Sequence, residues 1–316
     1  MTHATENPKL TVLMAVYNGV PYLETAIDSI LNQTYSNFLF LIIDDASTDS
    51  TREVIKSYND SRIRLRCLEQ NVGQTAALSI GLRQVETAWV ARMDADDYSA
   101  PTRFEEQIAF LESYPCIKCL GTYAWTFRKD PKIVEDVIVT PLHNDDINRE
   151  LLKGSPIIHG SLIAATEALL DVGGYDDRYP VGADLELYDR LLPIYPSANF
   201  PKQLLGIRIH ELQGSRTQSA CDDGINICTR RLLNNSYSEQ ESAIVRVTLC
   251  HAHLVRAHFF AARFRFLEMS KDILRSTRIS PKAFIWHFIL VFVIGTMPQS
   301  IQTRLKRIVV KILKKP

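Results

Sequence analysis

Trp89-Val90-Ala91-Arg92-Met93-Asp94-Ala95-Asp96-Asp97 runs from a strand-like apolar segment straight into carboxylates. Alternate residues of an extended chain point the same way, so Asp94 and Asp96 can face one hard cation. A divalent ion gripped by one or two protein carboxylates keeps open positions, which water and substrate phosphates fill. The pair therefore points to a diphosphate held through a metal. Asp-x-Asp also occurs in ordinary turns and loops, so the rest of the chain has to decide.

Upstream, strand and helix signals alternate. Leu10 to Tyr17 is an apolar run of strand length ending at the turn pair Asn18-Gly19. Leu23, Ala26, Ile27, Ile30 and Leu31 then form the stripe of an amphipathic helix. Phe38 to Ile43 is a second strand, and Ser50-x-x-Glu53 has the form of a capping box opening a helix. Ile63 to Leu68 is a weaker strand, followed by a loop and a helix up to Val85. Strands separated by helices imply a largely parallel sheet with right-handed crossovers. Ligands gather at the carboxyl ends of such strands. Tyr17-Asn18, Asp44-Asp45 and Asp94-Ala95-Asp96 all fall there. Downstream, a helix is expected after Pro101, extended chain from Cys116 to Thr140, and a short helix at Asp145 to Leu152. A flexible turn at Gly173-Gly174-Tyr175 and a helix at Asp184 to Leu192 follow.

With 46% hydrophobic and 23% charged residues in 316, the composition is that of a folded globular protein. Residues 1–9 lack the apolar core of a secretory signal. The six cysteines are scattered, and Cys116-Ile117-Lys118-Cys119 has no second pair at zinc-site spacing, so idle thiols in a reducing, cytoplasmic compartment are expected. The formal net charge of zero hides a division. Residues 1–229 hold 20 Lys/Arg against 32 Asp/Glu, whereas residues 230–316 hold 16 against 4. Two parts in different surroundings are expected, an α/β part over 1–229 and a basic helical part over 230–316.

In order along the chain, Val12 to Asn18, Ser29 to Tyr35, Ile42 to Asp49, Arg92 to Asp97 with Pro101 and Arg103, and Gly173 to Asp176 with Asp184 to Leu192 resemble the family 2 glycosyltransferases. The resemblance spans roughly residues 8–216. It implies the GT-A fold, a mostly parallel central sheet that binds a nucleoside-diphosphate sugar, and an inverting transfer. By that resemblance Asp45 accepts a hydrogen bond from the donor base, a uracil, and Ala15 and Tyr17 line its pocket. A carboxylate suits an imide N–H because it is a charged acceptor. Asp96 is the expected metal ligand, with Asp94 on the ribose or the metal. Asp49 either helps this loop or caps the next helix, and Asp97 either caps or hydrogen-bonds its neighbours. Mn²⁺ or Mg²⁺ is the implied cofactor.

Asp184 is the candidate base, since inversion needs one carboxylate to take the acceptor proton. The competing reading is a helix N-cap, a place that aspartate favours. Ala183 replaces the glutamate common before this aspartate, which bears on the acceptor. Arg208 and His210 resemble the segment that folds over the diphosphate, Arg208 toward the donor and His210 toward the metal, near Ser215-Arg216. His159 and Gly174 are candidate acceptor contacts, with a satisfied structural histidine as the competing reading of His159.

The expected reaction passes a sugar from a UDP-sugar to a hydroxyl on a growing surface glycan or lipid-linked saccharide. A polyprenyl-phosphate acceptor is the alternative, because it is already anionic and needs no strong base. A non-catalytic nucleotide-sugar-binding scaffold is the other, and the retained carboxylates argue against it.

In the basic part, Ala283 to Ile294 is apolar but shorter than the roughly 20 residues of a membrane span. Ile301, Leu305, Ile308, Val309, Ile312 and Leu313 make one stripe flanked only by positive charge. That pattern suits an anionic membrane surface, which places the protein peripherally on the inner face of the cell membrane, or a helix docked on the catalytic part. Nucleic acid is not expected, because the tail offers no aromatic stacking residues.

Overall fold

β1 (Leu10–Val16), β2 (Phe38–Asp44), β3 (Ile63–Cys67) and β4 (Trp89–Arg92) pair in parallel in the order β3-β2-β1-β4. In the computed structural model, residues 8–210, 218–234, 237–261, 266–280 and 284 are described. The expected period of two is visible in how β1 divides between two cores. Leu13 and Ala15 join Leu41 and Ile43 on one face, while Val12, Met14 and Val16 join Phe40 and Ile42 on the other. Strands buried on both faces read as continuous apolar runs. Helix α1 (Leu23–Leu31) covers one face with Leu23, Ala26, Ile27 and Ile30.

Helix α2 (Thr51–Ser57) starts without the expected capping box, because the Ser50 side chain makes no cap bond. Asp49 takes that part, accepting from the Thr51 N–H at 3.0 Å. Helix α3 (Gln74–Leu82) lies so close to the sheet that a Cβ on Gly81 would stand 2.5 Å from Leu13 and 2.9 Å from Ile43.

Beyond β4 the sheet is mixed. After β5 (Tyr98–Ser99) and α4 (Arg103–Ser113), the long β6 (Cys119–Phe127) carries the hairpin partner β7 (Asp136–Ile138). Helix α5 (Asn144–Leu151), a 3-10 turn at His159–Ser161, β8 (Ile163–Ala165) and α6 (Thr166–Asp171) follow. Helix α7 (Ala183–Leu191) and β9 (Ser197–Arg208) complete this part. β8 is antiparallel to β4 and β6, β6 is parallel to β9, and β9 is antiparallel to β5. The nine strands form one sheet, ordered β3-β2-β1-β4-β8-β6-β9-β5 with β7 on β6. The β5–β9 pairing brings the end of β9 beside the carboxylates after β4.

Two compact units divide the chain, Met1–Gln213 and Gly214–Pro316. The second holds α8 (Gln218–Leu233), which runs through position 229/230, with α9 (Glu239–Ala261) and α10 (Phe266–Ile279). Its helices are tied by a buried network. Asp272 accepts from His253 Nδ1 at 3.0 Å and from Arg256, which also reaches Asp222 on α8. These partners outweigh the effect of burial and hold the Asp272 carboxyl down at about 2. All six cysteines are free thiols. Among the described residues no helix is long and apolar enough to cross a membrane. Ala283 to Ile294, the stripe from Ile301 to Leu313, and Ser215-Arg216 lie outside the described residues, apart from Phe284.

Candidate active site

The parallel register sets the ends of β1 and β2 side by side, with Asp45 N donating to Val16 O at 2.8 Å. Asn18 clips the two loops together. Its side-chain oxygen accepts from Thr48 N at 2.8 Å, and its own N–H donates to Ser47 Oγ at 3.0 Å. Asn18 and Ala46 both take positive φ, 51° and 59°, a conformation that costs alanine energy and is concentrated at functional sites. Ala15 is buried, while Tyr17 is 50% exposed on the rim.

Asp45 is 2% exposed, and its two oxygens accept from Val72 N at 2.8 Å and Gly73 N at 2.9 Å. Each oxygen of an ionised carboxylate has a second acceptor direction, so the bonds do not exhaust it. The carboxylate thus holds in place the loop that opens α3.

The carboxylates after β4 are not equivalent. Asp94 Oδ1 accepts from Arg92 Nη2 at 2.5 Å and from Gln74 Nε2, at the start of α3, at 3.0 Å. Burial opposes its ionisation, but the Arg92 guanidinium outweighs it and holds the carboxyl below the usual range. Asp96 is pushed up by burial and then by the charge of Asp94, with His210 partly offsetting both. Asp97, 6% exposed, is pushed well up by burial, Asp96 and Asp94. The 3-10 turn closes over this cluster with a glycine. A Cβ on Gly160 would stand 3.0 Å from Leu205 and 3.4 Å from oxygens of both Asp94 and Asp97.

His210 Nε2 and Asp96 Oδ2 lie 2.8 Å apart, and the imidazole packs against Tyr22 with centroids 4.8 Å apart and planes inclined by 43°. Neighbouring ligands of an octahedral ion with bonds of about 2.1 Å sit about 3 Å apart, so this O/N pair fits two adjacent positions around a divalent cation. Among the described residues no group of three or more such side chains gathers.

Arg208 turns away from the role of an open cation. Its guanidinium donates to the carbonyls of Asp96 at 2.9 Å and of Arg128 and Lys129, sandwiched between the rings of Tyr22 and Phe127. Its backbone N–H donates to Asp97 Oδ1 at 3.0 Å. It is 4% exposed and fastens the end of β9 to the carboxylate loop.

Asp184 is the second residue of α7, and Gly182 holds the N-cap position, so the carboxylate does not serve as the cap. Asp184 Oδ2 accepts from Ser155 Oγ at 2.6 Å. His159 Nε2 and Tyr175 Oη are 2.8 Å apart. Burial and then Arg92 push the imidazole down to about 4, against the opposing pull of Asp184 and Asp94, so it is neutral near pH 7.

The Gly173-Gly174 turn takes φ of 85° and 68°, the left-handed region that glycine enters at no steric cost. Arg190 donates to the carbonyls of Val172 and Gly174 while pairing with the buried Glu186. Gly174, Tyr175 and Arg178 line a cavity of about 620 Å³ together with Ala76 and Ile80 of α3 and Arg83 at its C-cap.

Sequence reasoning overlooked Ser155, Gln74, Arg92 and Tyr175. Only Arg92 and Tyr175 stood inside recognised blocks. The partners of Ser155 and Gln74 lie 29 and 20 residues away, with no local pattern to announce them.

Residues 11–171 match Glycosyl transferase family 2. The chain belongs to that family and is a glycosyltransferase. It is 30% identical over 203 residues to the amylovoran biosynthesis glycosyltransferase AmsE of Erwinia amylovora, covering 63% of this chain and 75% of that protein. Among solved structures it is similar to S. aureus TarS 1–349 in complex with UDP-GlcNAc, with a TM-score of 0.65 at 17% identity over 90% of each chain. It is also similar to the mannosyltransferase PcManGT of Pyrobaculum calidifontis in complex with GDP-Man and Mn²⁺, with a TM-score of 0.58 at 17% identity over 99% of this chain and 82% of that one. These two likenesses establish the GT-A fold.

Proposed function

We propose that this glycosyltransferase moves a sugar from a nucleoside-diphosphate sugar, a UDP-sugar, to a hydroxyl of a growing surface glycan or lipid-linked saccharide, with inversion. The observation that carries the reading is the placement of Asp45 and Asp94 at the carboxyl ends of the parallel strands β2 and β4 that flank β1, with the Asp96–His210 pair beside Asp94. The UDP-GlcNAc held by TarS and the biosynthetic role of AmsE support the donor and acceptor classes.

In this reading Ala15, Tyr17 and Asp45 receive the base, and Asp94, fixed by Arg92 and Gln74, meets the ribose. Asp96 and His210 hold Mn²⁺ or Mg²⁺, with Asp94 beside them. Such an ion supplies positive charge against the departing diphosphate. Arg208 acts through its bond to the Asp96 carbonyl, as a positioning residue. Asp184 takes the proton of the attacking hydroxyl, and the neutral imidazole of His159 offers that sugar a hydrogen bond. The cavity beside Gly174 gives the rest of the acceptor room. Residues 299–316 would hold the protein on the anionic inner face of the cell membrane, a reading that rests on their sequence alone.

A donor screen by thermal shift with Mn²⁺ tests the proposal, since a ligand that binds the folded state raises the melting temperature. One UDP-sugar should stabilise the protein in a Mn²⁺-dependent way. Stabilisation by no nucleotide sugar, with or without metal, would overturn it.

A further inference from the structure

We propose that Ser155 is a positioning residue for the catalytic carboxylate, an inference that rests on Asp184 being the base. A carboxylate base has two equivalent oxygens, and rotation about its last side-chain bond spreads them over many directions. A base aims its lone pair only when a third group fixes the rest of it.

Here that group comes from a different element. Ser155 stands in the loop between α5 and the 3-10 turn, and its hydroxyl donates to Asp184 Oδ2 at 2.6 Å. That distance is in the range of a charge-assisted O–H···O⁻ bond. That bond fixes the rotation of the carboxylate, and with it the direction in which Oδ1 meets the acceptor hydroxyl.

Two features point the same way. The helix does not need the carboxylate for itself, since Gly182 holds the N-cap position. The next residue, Pro156, restricts the backbone of Ser155 to extended conformations, so the hydroxyl is presented from a preset backbone. Because Ser155 is exposed and bonded at its tip, its loss should affect the aim of the base more than the fold.

The test uses the full chain with Mn²⁺ and whichever of UDP-glucose, UDP-galactose, UDP-GlcNAc or GDP-mannose raises its melting temperature most. Release of nucleoside diphosphate to water gives the rate without a known acceptor. Ser155→Ala should lower kcat about 10-fold, the weight of one hydrogen bond to a charged group, with the donor KM and the melting temperature unchanged. Ser155→Thr, which keeps the hydroxyl, should restore most of the rate. In an Asp184→Asn background, Ser155→Ala should cost nothing more, because the aimed group is already gone.

A Ser155→Ala enzyme as fast as wild type beside a slow Asp184→Asn enzyme would overturn the positioning role and leave the base in place. An undiminished Asp184→Asn rate would overturn the base itself, and this inference with it. An equal loss in both backgrounds, or a lowered melting temperature that threonine does not rescue, would make Ser155 merely structural.

Discussion

Asp45→Asn separates what the fold asks of this carboxylate from what a donor would ask of it. Asp45 is 2% exposed and accepts two backbone N–H bonds, from Val72 at 2.8 Å and Gly73 at 2.9 Å. Asparagine keeps one acceptor oxygen and turns an NH₂ toward the other N–H. One charge-assisted bond is lost, worth about 1.5–3 kcal/mol, and a buried donor is left facing a donor. For a unit of this size about 1 kcal/mol moves the melting temperature by roughly 2–4 °C, so a fall of about 4–8 °C is expected. Asp45→Ala loses both bonds and should fall about twice as far. Differential scanning fluorimetry with and without UDP reads both effects on one preparation. Both variants should also lose the stabilisation that UDP gives the wild type. A variant that melts with the wild type would refute the assigned hydrogen bonds. One that melts lower but keeps the full UDP shift would refute the proposed base contact alone.

Asp184→Asn should lower turnover by about 10²–10⁴-fold with an unchanged melting curve, since the helix cap lies at Gly182; steady-state kinetics beside a melt checks it. Asp96→Ala should abolish the Mn²⁺-dependent part of donor stabilisation, while Asp94→Ala should also melt lower, because it strands the buried Arg92; thermal shift with and without chelator reads both. His159 gives a pH window. Its folded value of about 4 lies below the ordinary 6.5, so between these the unfolded chain takes a proton that the folded one refuses. Stability is therefore lost as pH falls from about 6.5 to about 4, by at most about 3 kcal/mol at about 1.4 kcal/mol per pH unit. The raised carboxyl of Asp97 acts in the opposite direction, so the comparison of His159→Gln with wild type isolates the imidazole. Deleting residues 299–316 should release the protein from anionic vesicles in co-sedimentation, and equal pelleting of both forms would show that the tail is not the anchor.

The elements legible in the sequence are those whose evidence is local. β1 and β2 are continuous apolar runs closed by turn residues, and α1 shows its whole buried stripe within nine residues. The parallel half of the sheet followed, and with it the rim where Tyr17, Asp45 and Asp94 meet. The other half was not legible. β8 has three residues, and β5 has two, with a strand partner more than 100 positions later. No period can show in so few residues, and the pairing is set when the chain closes.

The same divide runs through the site. Asp96 could be read as a ligand from its spacing, yet its bond to His210 spans 114 residues, and only the family resemblance suggested that partner. Arg208 was expected to face the donor from the family resemblance of its segment, whereas the two rings and three carbonyls that enclose it come from positions that the resemblance does not reveal. Glu186, placed without comment in a helical run, proves 1% exposed, because Arg190 folds back onto it and onto the Gly174 turn. A charged residue in a one-dimensional pattern reads as solvent-facing or as catalytic. The third possibility, a buried charge that holds a turn or a loop in place for its neighbours, requires a partner brought in by the fold. Arg92, Arg208 and Glu186 all take that form here: Arg92 and Arg208 bond directly to residues of the proposed chemistry, and Glu186 reaches the acceptor side through Arg190.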